Sequence, residues 1–346
     1  MTEPRRLVAD LAATSRNWAL TGDGEARLRT GAPPGWEVAL VRAPTSSDGD
    51  GPQGGSNEAQ GLIAEAEVYF GFGITKDLFR AGRSLRWVHS AAAGVGSVLQ
   101  SGIAESDVVL TNSAGIHGPP IAEFVVAGIL HFLRGLDVAI AQQRRGEWSK
   151  EFFVAEDAPL RELTECRVLI VGTGGLGGEA ACRLSALGAR CTGIRRRPEL
   201  GAPAGFAAVA GPRELDAELG RADVLVLAAP LTADTSELMT RARLELLPRG
   251  AIVVNVARGA LLDEVALAER LSSGWLRGAV LDVFRREPLE ASSPLWRLPN
   301  ALVVPHVSPV SPGRFWPRQL DLFLDNWRRY VDGRPLRNLV DKQAGY

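Results

Sequence analysis

Arg167-Val168-Leu169-Ile170-Val171 runs directly into Gly172-Thr173-Gly174-Gly175-Leu176-Gly177, and this stretch decides the fold. Its apolar run shows no polar alternation, as expected of a strand covered by helices on both faces of a parallel sheet. The glycines then open a helical pattern carrying Ala180, Leu184 and Leu187. In that context G-x-G-x-x-G supplies a tight turn, close backbone approach and a helix N-terminus whose amides can donate to the pyrophosphate of a dinucleotide. The plainer alternative is a glycine-rich turn that only lets helix and strand pack closely.

Further apolar runs follow at residues 191–194, 223–228, 251–256, 278–283 and 302–304, separated by helix-length segments. This alternation predicts a Rossmann-type doubly wound parallel sheet. Upstream, β-rich runs at 37–41, 67–72, 85–89 and 108–111 predict a smaller α/β domain. A length of 346 residues accommodates two domains, each with its own core. Residues 43–60, rich in Gly, Ser, Asp and Pro, cannot offset their ordering entropy by burial and are expected to form a mobile surface loop. Pro119-Pro120 opens a long helical pattern over 121–145, where Phe124, Ile129, Phe132, Leu133 and Leu136 give an apolar surface broad enough to meet a second subunit. A last helix, 319–330, is expected to return to the first domain. The predicted division is therefore 1–116 with 305–346, discontinuous, and 117–304 for dinucleotide binding.

With 46% hydrophobic and 23% charged residues and a net charge of −1, the chain reads as soluble and globular, with no pull toward nucleic acid. Arg195-Arg196-Arg197 is too short for a strip that tracks a nucleic-acid backbone and reads as a local anion site. Cys166, Cys182 and Cys191 are odd in number, lack Cys-x-x-Cys spacing and lie in or beside core elements, which predicts buried thiols rather than disulfides. The first thirty residues carry Glu3, Arg5, Arg6, Asp10 and Arg16 without an apolar core segment, and no apolar stretch approaches bilayer length. A cytoplasmic protein with no membrane partner is expected.

Three polar residues stand at or just beyond apolar runs: Arg258 in Val-Ala-Arg-Gly, Glu287 in Arg-Arg-Glu-Pro and His306 in Val-Pro-His-Val. Downstream of a dinucleotide motif they suggest hydride transfer to a 2-keto acid. Such a reduction needs a fixed carboxylate, a polarised carbonyl and a delivered proton. The Arg258 guanidinium suits the first two. His306 is the natural proton donor, and Glu287 beside it would favour the imidazolium and hold the ring. Taken singly, each has a plainer reading: surface arginine, solvated loop carboxylate, satisfied core histidine. The strand after the glycine loop ends in Arg195, where NAD enzymes place an acid for the ribose hydroxyls. A guanidinium there suits a 2′-phosphate, so NADP is favoured and NAD stays open, with Glu199 as a weak acceptor. His89, His117 and His131 show no metal-ligand spacing, and no G-x-S-x-G elbow presents a nucleophile. No metal is expected.

From about Leu85 to Lys342 the chain resembles the D-2-hydroxyacid dehydrogenase family, which includes glyoxylate and hydroxypyruvate reductases. GTGGLG, NVARGALLDE (255–264), LDVFRREPL (281–289) and PHVS (305–308) carry the resemblance. It implies a flavodoxin-like split substrate domain, a Rossmann cofactor domain, an active site between them and a homodimer joined through the cofactor domains. It also implies that Arg258 binds substrate, Glu287 pairs with the histidine, His306 is the acid/base and Asp282 meets the nicotinamide carboxamide. Backbone amides of Ala92, Ala93 and Gly94 would hold the substrate carboxylate. The expected cofactor set comprises Gly172, Gly174, Gly175, Leu176, Gly177, Arg195, Arg196, Pro230, Ala257, Asp282 and Ser308. Two positions depart from the family pattern. Gly96 stands where an aspartate is frequent, which leaves the brace of the substrate loop unassigned, and Ser308-Pro309 replaces a glycine-bearing turn. Trp316, ten residues after His306, is read either as a substrate-facing aromatic or as packing. The rival functions are a formate or phosphite dehydrogenase, the former disfavoured by Glu287 where that branch has glutamine, and a corepressor-like dinucleotide sensor.

Overall fold

The computed structural model describes residues 5–15, 18–44 and 56–345, so the segment expected to be a mobile loop lies mostly outside the described residues. The chain forms two compact units, Met1–Ile116 with Val310–Tyr346, and His117–Pro309. The second junction falls after Pro309 rather than after Val304. The Asp282 carboxylate accepts hydrogen bonds from the Val307 and Ser308 amides, which ties that segment to the second unit.

Among the described residues the first unit contains five parallel strands, β1 (Arg5–Asp10), β2 (Trp36–Leu40), β3 (Val68–Gly71), β4 (Trp87–Ser90) and β5 (Val109–Thr111), in the flavodoxin-like order β2-β1-β3-β4-β5. β1 was not among the strands expected from the sequence. Its entry is charged, with Arg5 paired to Glu67 and Arg6 to Glu65 and Glu37, and only its last four residues are buried. The pleat sends Leu7, Ala9, Val68, Phe70 and Trp87 into one core and Val8, Tyr69 and Val88 into the other. The helix Phe315–Val331 closes the first core with Leu320, Phe323, Leu324 and Trp327 at helical spacing. Phe323 stacks on Phe70 at 4.1 Å and on Trp87 at 5.4 Å.

The second unit contains β6 (Arg167–Val171), β7 (Arg190–Ile194), β8 (Ala208–Ala210), β9 (Val224–Leu227), β10 (Ile252–Asn255), β11 (Gly278–Leu281) and β12 (Ala301–Val303). All pairings are parallel, and the order β12-β11-β10-β9-β6-β7-β8 is the doubly wound Rossmann order extended by one strand. The edge strand β8 was also missed; Ala-Val-Ala, half-exposed, carries almost no apolar signal. Both faces are covered, which explains the continuous apolar runs. Leu169, Leu225, Val253 and Leu281 point into one core; Val168, Ile170, Val224, Val226 and Val280 point into the other. Truncating any of these leucines to alanine costs about 2–5 kcal/mol.

The long helix expected over 121–145 is two helices, Gly118–Leu133 and Leu136–Arg145, bent by 69°. Gly135 between them adopts the left-handed conformation at φ 67°, which glycine reaches without steric cost. No single helix among the described residues is long and apolar enough to cross a membrane. Cys166 and Cys191 are buried, and burial pushes the Cys191 thiol up to about 11; Cys182 is exposed, contrary to expectation.

Candidate active site

The carboxyl ends of β6, β9, β10, β11 and β12 lie along one edge of the second unit's sheet, and the candidate residues follow these strands. The winding reverses between β6 and β9, where open α/β sheets bind ligands. Gly172 lies there at φ 100°, and a Cβ on it would come within 2.6 Å of the Ala228 carbonyl oxygen. A Cβ on Gly177 would lie 1.9 Å from the Gly172 oxygen, so both positions require glycine. Around Gly174 the corresponding space is open. The helix Gly175–Ala186 begins immediately after, and its first amides, on Gly175, Leu176 and Gly177, have no partner within the helix. Open space before a helix N-terminus fits a pyrophosphate.

Gly172 N donates to the Ile194 oxygen at 2.9 Å, which sets the end of β7 beside the glycine loop. Arg195 follows directly. Its guanidinium donates to the Gly201 carbonyl at 2.7 Å, and Arg196 lies 3.9 Å from Asp234. The dipeptide after β7 is therefore cationic and fits a phosphate better than a ribose diol. Glu199 is exposed on the following turn. After β9, exposed Pro230 receives a hydrogen bond from Thr235 on its carbonyl, 2.6 Å.

At the end of β10, buried Asn255 organises the loop that carries Arg258: its Nδ2 donates to the Arg258 carbonyl at 3.0 Å and its Oδ1 accepts from Ala257 N at 3.2 Å. Arg258 Nη1 donates to the Ala257 carbonyl at 2.7 Å. A Cβ on Gly259 would sit 1.8 Å from the Phe284 carbonyl carbon, so the Arg258 loop packs backbone to backbone on the loop after β11. That second loop carries Glu287. Its Oε1 accepts from Phe284 N at 2.9 Å and its Oε2 lies 2.8 Å from His306 Nδ1. Glu264 sits against the same loop through the Arg285 amide, and burial raises its carboxyl above the usual range, with Glu287 adding to the shift.

His306 follows β12 and has φ 52°, the left-handed region that costs a non-glycine residue on the order of 1 kcal/mol. Buried Asp282 holds it there. The Asp282 carbonyl accepts from His306 N at 2.8 Å, while its carboxylate accepts from Val307 N at 2.7 Å, from Ser308 N and from the Ser308 hydroxyl. Neighbouring strands lie about 5 Å apart, so the ends of β10, β11 and β12 span roughly 10 Å. Arg258, Glu287 and His306 are thus brought together on touching loops. Asn255 and the bracing role of Asp282 were not foreseen; Asn255 heads the quoted NVARGALLDE motif, but a polar side chain that binds only backbone has no chemical signature.

The remaining candidates belong to the first unit. Ala92, Ala93 and Gly94 follow β4. The Ala92 amide is already bound by Ser90 Oγ at 3.2 Å, so of the three amides expected for a substrate carboxylate only those of Ala93 and Gly94 lack a hydrogen-bond acceptor among the described residues. Gly96 begins a short helical turn, and a side chain there would meet open space. Trp316 is buried with Phe315 and Phe72, and its indole N–H donates to the Ala19 carbonyl at 2.7 Å. It is a packing residue, which corrects the substrate-facing reading.

The family model described as D-isomer specific 2-hydroxyacid dehydrogenase, NAD binding domain, matches residues 126–308. A glyoxylate/hydroxypyruvate reductase A of Salmonella newport is 33% identical over 277 residues, covering 77% of this chain and 83% of that protein. Among solved structures, a D-isomer specific 2-hydroxyacid dehydrogenase of Xanthobacter autotrophicus in complex with NADPH and MES is 31% identical, with a TM-score of 0.79 over 98% of this chain and 99% of that one. An NADPH-dependent glyoxylate/hydroxypyruvate reductase of Sinorhizobium meliloti in complex with NADP and sulfate is also 31% identical, with a TM-score of 0.77 over 99% of this chain and 100% of that one. Sequence, fold and the arrangement at the sheet edge agree: the chain belongs to the D-isomer specific 2-hydroxyacid dehydrogenase family and is an NAD(P)-dependent oxidoreductase.

Proposed function

We propose that this protein reduces a small 2-keto acid to the D-2-hydroxy acid, with NADPH preferred over NADH. The observation that carries the reading is the 2.8 Å His306–Glu287 pair on a loop packed directly against the one bearing Arg258. When bound, the dinucleotide supplies a hydride from its nicotinamide ring. Arg258 holds the substrate carboxylate through its planar fork and polarises the ketone oxygen. Glu287, oriented by the Phe284 amide, accepts a hydrogen bond from His306 Nδ1–H, so the imidazolium keeps that proton and delivers the one on Nε2 to the ketone oxygen as charge develops on it. The keto carbon gains the hydride, the oxygen gains the proton, and His306 is left neutral until solvent reprotonates it.

Amides of Gly175, Leu176 and Gly177 receive the pyrophosphate beside Gly172 and Gly174, while Arg195 and Arg196 flank the 2′-phosphate. Asp282, Pro230, Ala257 and Ser308 complete the cofactor contacts. The relatives bound to NADPH and NADP support this choice of cofactor, and the reductase relatives make glyoxylate and hydroxypyruvate the first substrates to try. Ala93 and Gly94 offer their amides to the substrate carboxylate. Exposed Leu136, Ile140, Trp148 and Val154 support a homodimer through the cofactor domain. Free cysteines fit the reducing cytoplasm. A panel of 2-keto acids assayed with NADPH and NADH tests the assignment. His306→Ala is expected to lower kcat by about 10²–10⁴-fold while NADPH still binds, as followed by nucleotide fluorescence. Turnover of that variant at the parent rate would refute the roles.

A further inference from the structure

Behind the Ala92–Gly94 loop, the first unit contains a buried chain of hydrogen bonds whose direction is fixed by its members. The Trp87 indole can only donate, and it donates to Thr111 Oγ1 at 2.8 Å. The same oxygen lies 2.7 Å from His89 Nδ1. Both side chains are fully buried, and burial keeps the His89 imidazole neutral, its pKa pushed down to about 3. The Thr111 proton has no other acceptor among the described residues, and a buried hydroxyl proton is not left unpaired without cost. Thr111 therefore donates to Nδ1, and the ring proton sits on Nε2. From Nε2 it faces Ser113 Oγ at 3.3 Å. Ser113 in turn donates its hydroxyl proton to the Ser90 carbonyl at 2.8 Å.

The chain ends on the segment that precedes the loop. Ser113 N donates to the Ala92 carbonyl at 3.1 Å, and Asn112 Nδ2 donates to the Ala93 carbonyl at 2.8 Å. Asn112 is itself held by Asn338, whose Nδ2 donates to the Asn112 carbonyl at 3.1 Å. Three successive anchor points, the carbonyls of Ser90, Ala92 and Ala93, are thus fixed from the end of β5. The amides of Ala93 and Gly94 are left without an acceptor among the described residues.

We propose that His89, as its Nε2-protonated tautomer, is a positioning residue for substrate: through the Ser113 hydroxyl it fixes the Ser90 carbonyl at the base of the loop, and, with the grips of the Ser113 amide on Ala92 and of Asn112 on Ala93, keeps the Ala93 and Gly94 amides presented to the 2-keto acid carboxylate. The inference rests on the functional reading above and supplies the brace that Gly96 does not. Ser113→Ala and His89→Leu are expected to raise the KM for the 2-keto acid about tenfold, with kcat within about twofold and the KM for NADPH unchanged. Ser113→Thr, which keeps the hydroxyl, and His89→Gln, which keeps a donor near the Nε2 position, are expected to stay close to the parent. A purely structural role predicts a lower Tm in Ser113→Ala with the parent KM, and that result overturns the proposal. Nitrogen-15 NMR of the imidazole is expected to show the proton on Nε2; a proton on Nδ1 also overturns it. A parent enzyme inactive on every 2-keto acid refutes the functional reading and this inference together, whereas an active parent with unchanged KM in both disrupting variants refutes this inference alone.

Discussion

His89 should make the first unit sensitive to acid well before its carboxylates are protonated. Burial lowers the folded-state pKa of this imidazole from the ordinary 6.5 to about 3, so the unfolded chain binds the proton more readily than the folded one. For a group shifted in that direction, the stabilisation is fully present above pH 6.5 and is lost as the pH falls toward 3. The gap of roughly 3.5 units corresponds to about 5 kcal/mol at the acid limit, and about 2 kcal/mol of it is lost between pH 7 and pH 5. A loss of 2 kcal/mol is a large fraction of the stability of an ordinary domain. Urea unfolding of the parent and of His89→Gln at pH 7, 6 and 5 isolates the contribution, because glutamine does not titrate and every other group is common to both proteins. The parent is expected to lose about 2 kcal/mol more than the variant between pH 7 and pH 5. Equal losses would show that His89 is hydrated or already charged in the folded state, and the reasoning from its burial would fail.

Arg195→Asp should raise the KM for NADPH by roughly 10–100-fold, the worth of a charge-assisted hydrogen bond, and shift preference toward NADH; unchanged selectivity in initial-rate assays would remove Arg195 from the phosphate site. Gly259→Ala forces a methyl group into the Phe284 backbone and should separate the Arg258 loop from the Glu287 loop. It is expected to cost about 2 kcal/mol in urea unfolding and on the order of 100-fold in kcat/KM, and parent-like kinetics would count against the close approach. Arg277 and Asp137 form a bidentate pair, both contacts 2.7 Å, with side chains only about a tenth exposed. Arg277→Ala should cost about 3 kcal/mol by stranding the carboxylate, while the double variant Arg277→Met with Asp137→Leu should recover most of it.

The Rossmann half was legible because its inner strands are buried on both faces, leaving apolar runs that end close to a glycine or a polar residue of the site. Arg258, Glu287 and His306 stood out for the same reason, each a polar residue within four positions of the end of such a run. β1 was lost because charge occupies its first two positions and only Leu7, Val8 and Ala9 carry apolar character. The bend at Gly135 was hidden because Leu136 and Ile140 continue the helical spacing across it. Trp316 could not be resolved from sequence, since a tryptophan on an amphipathic helix reads the same whether it packs inside or lines a pocket. Asn112, Ser113 and Asn255 act by gripping backbone carbonyls and amides, and only tertiary proximity turns such common residues into supports.

The left-handed backbone of His306 has a practical cost for anyone wishing to toughen this enzyme. Asparagine or glycine would sit more comfortably at that position, so selection for heat tolerance alone would reward replacing the very group assigned to proton delivery. A stabilisation campaign on this scaffold should therefore hold residue 306 constant and score survivors by turnover as well as by melting temperature.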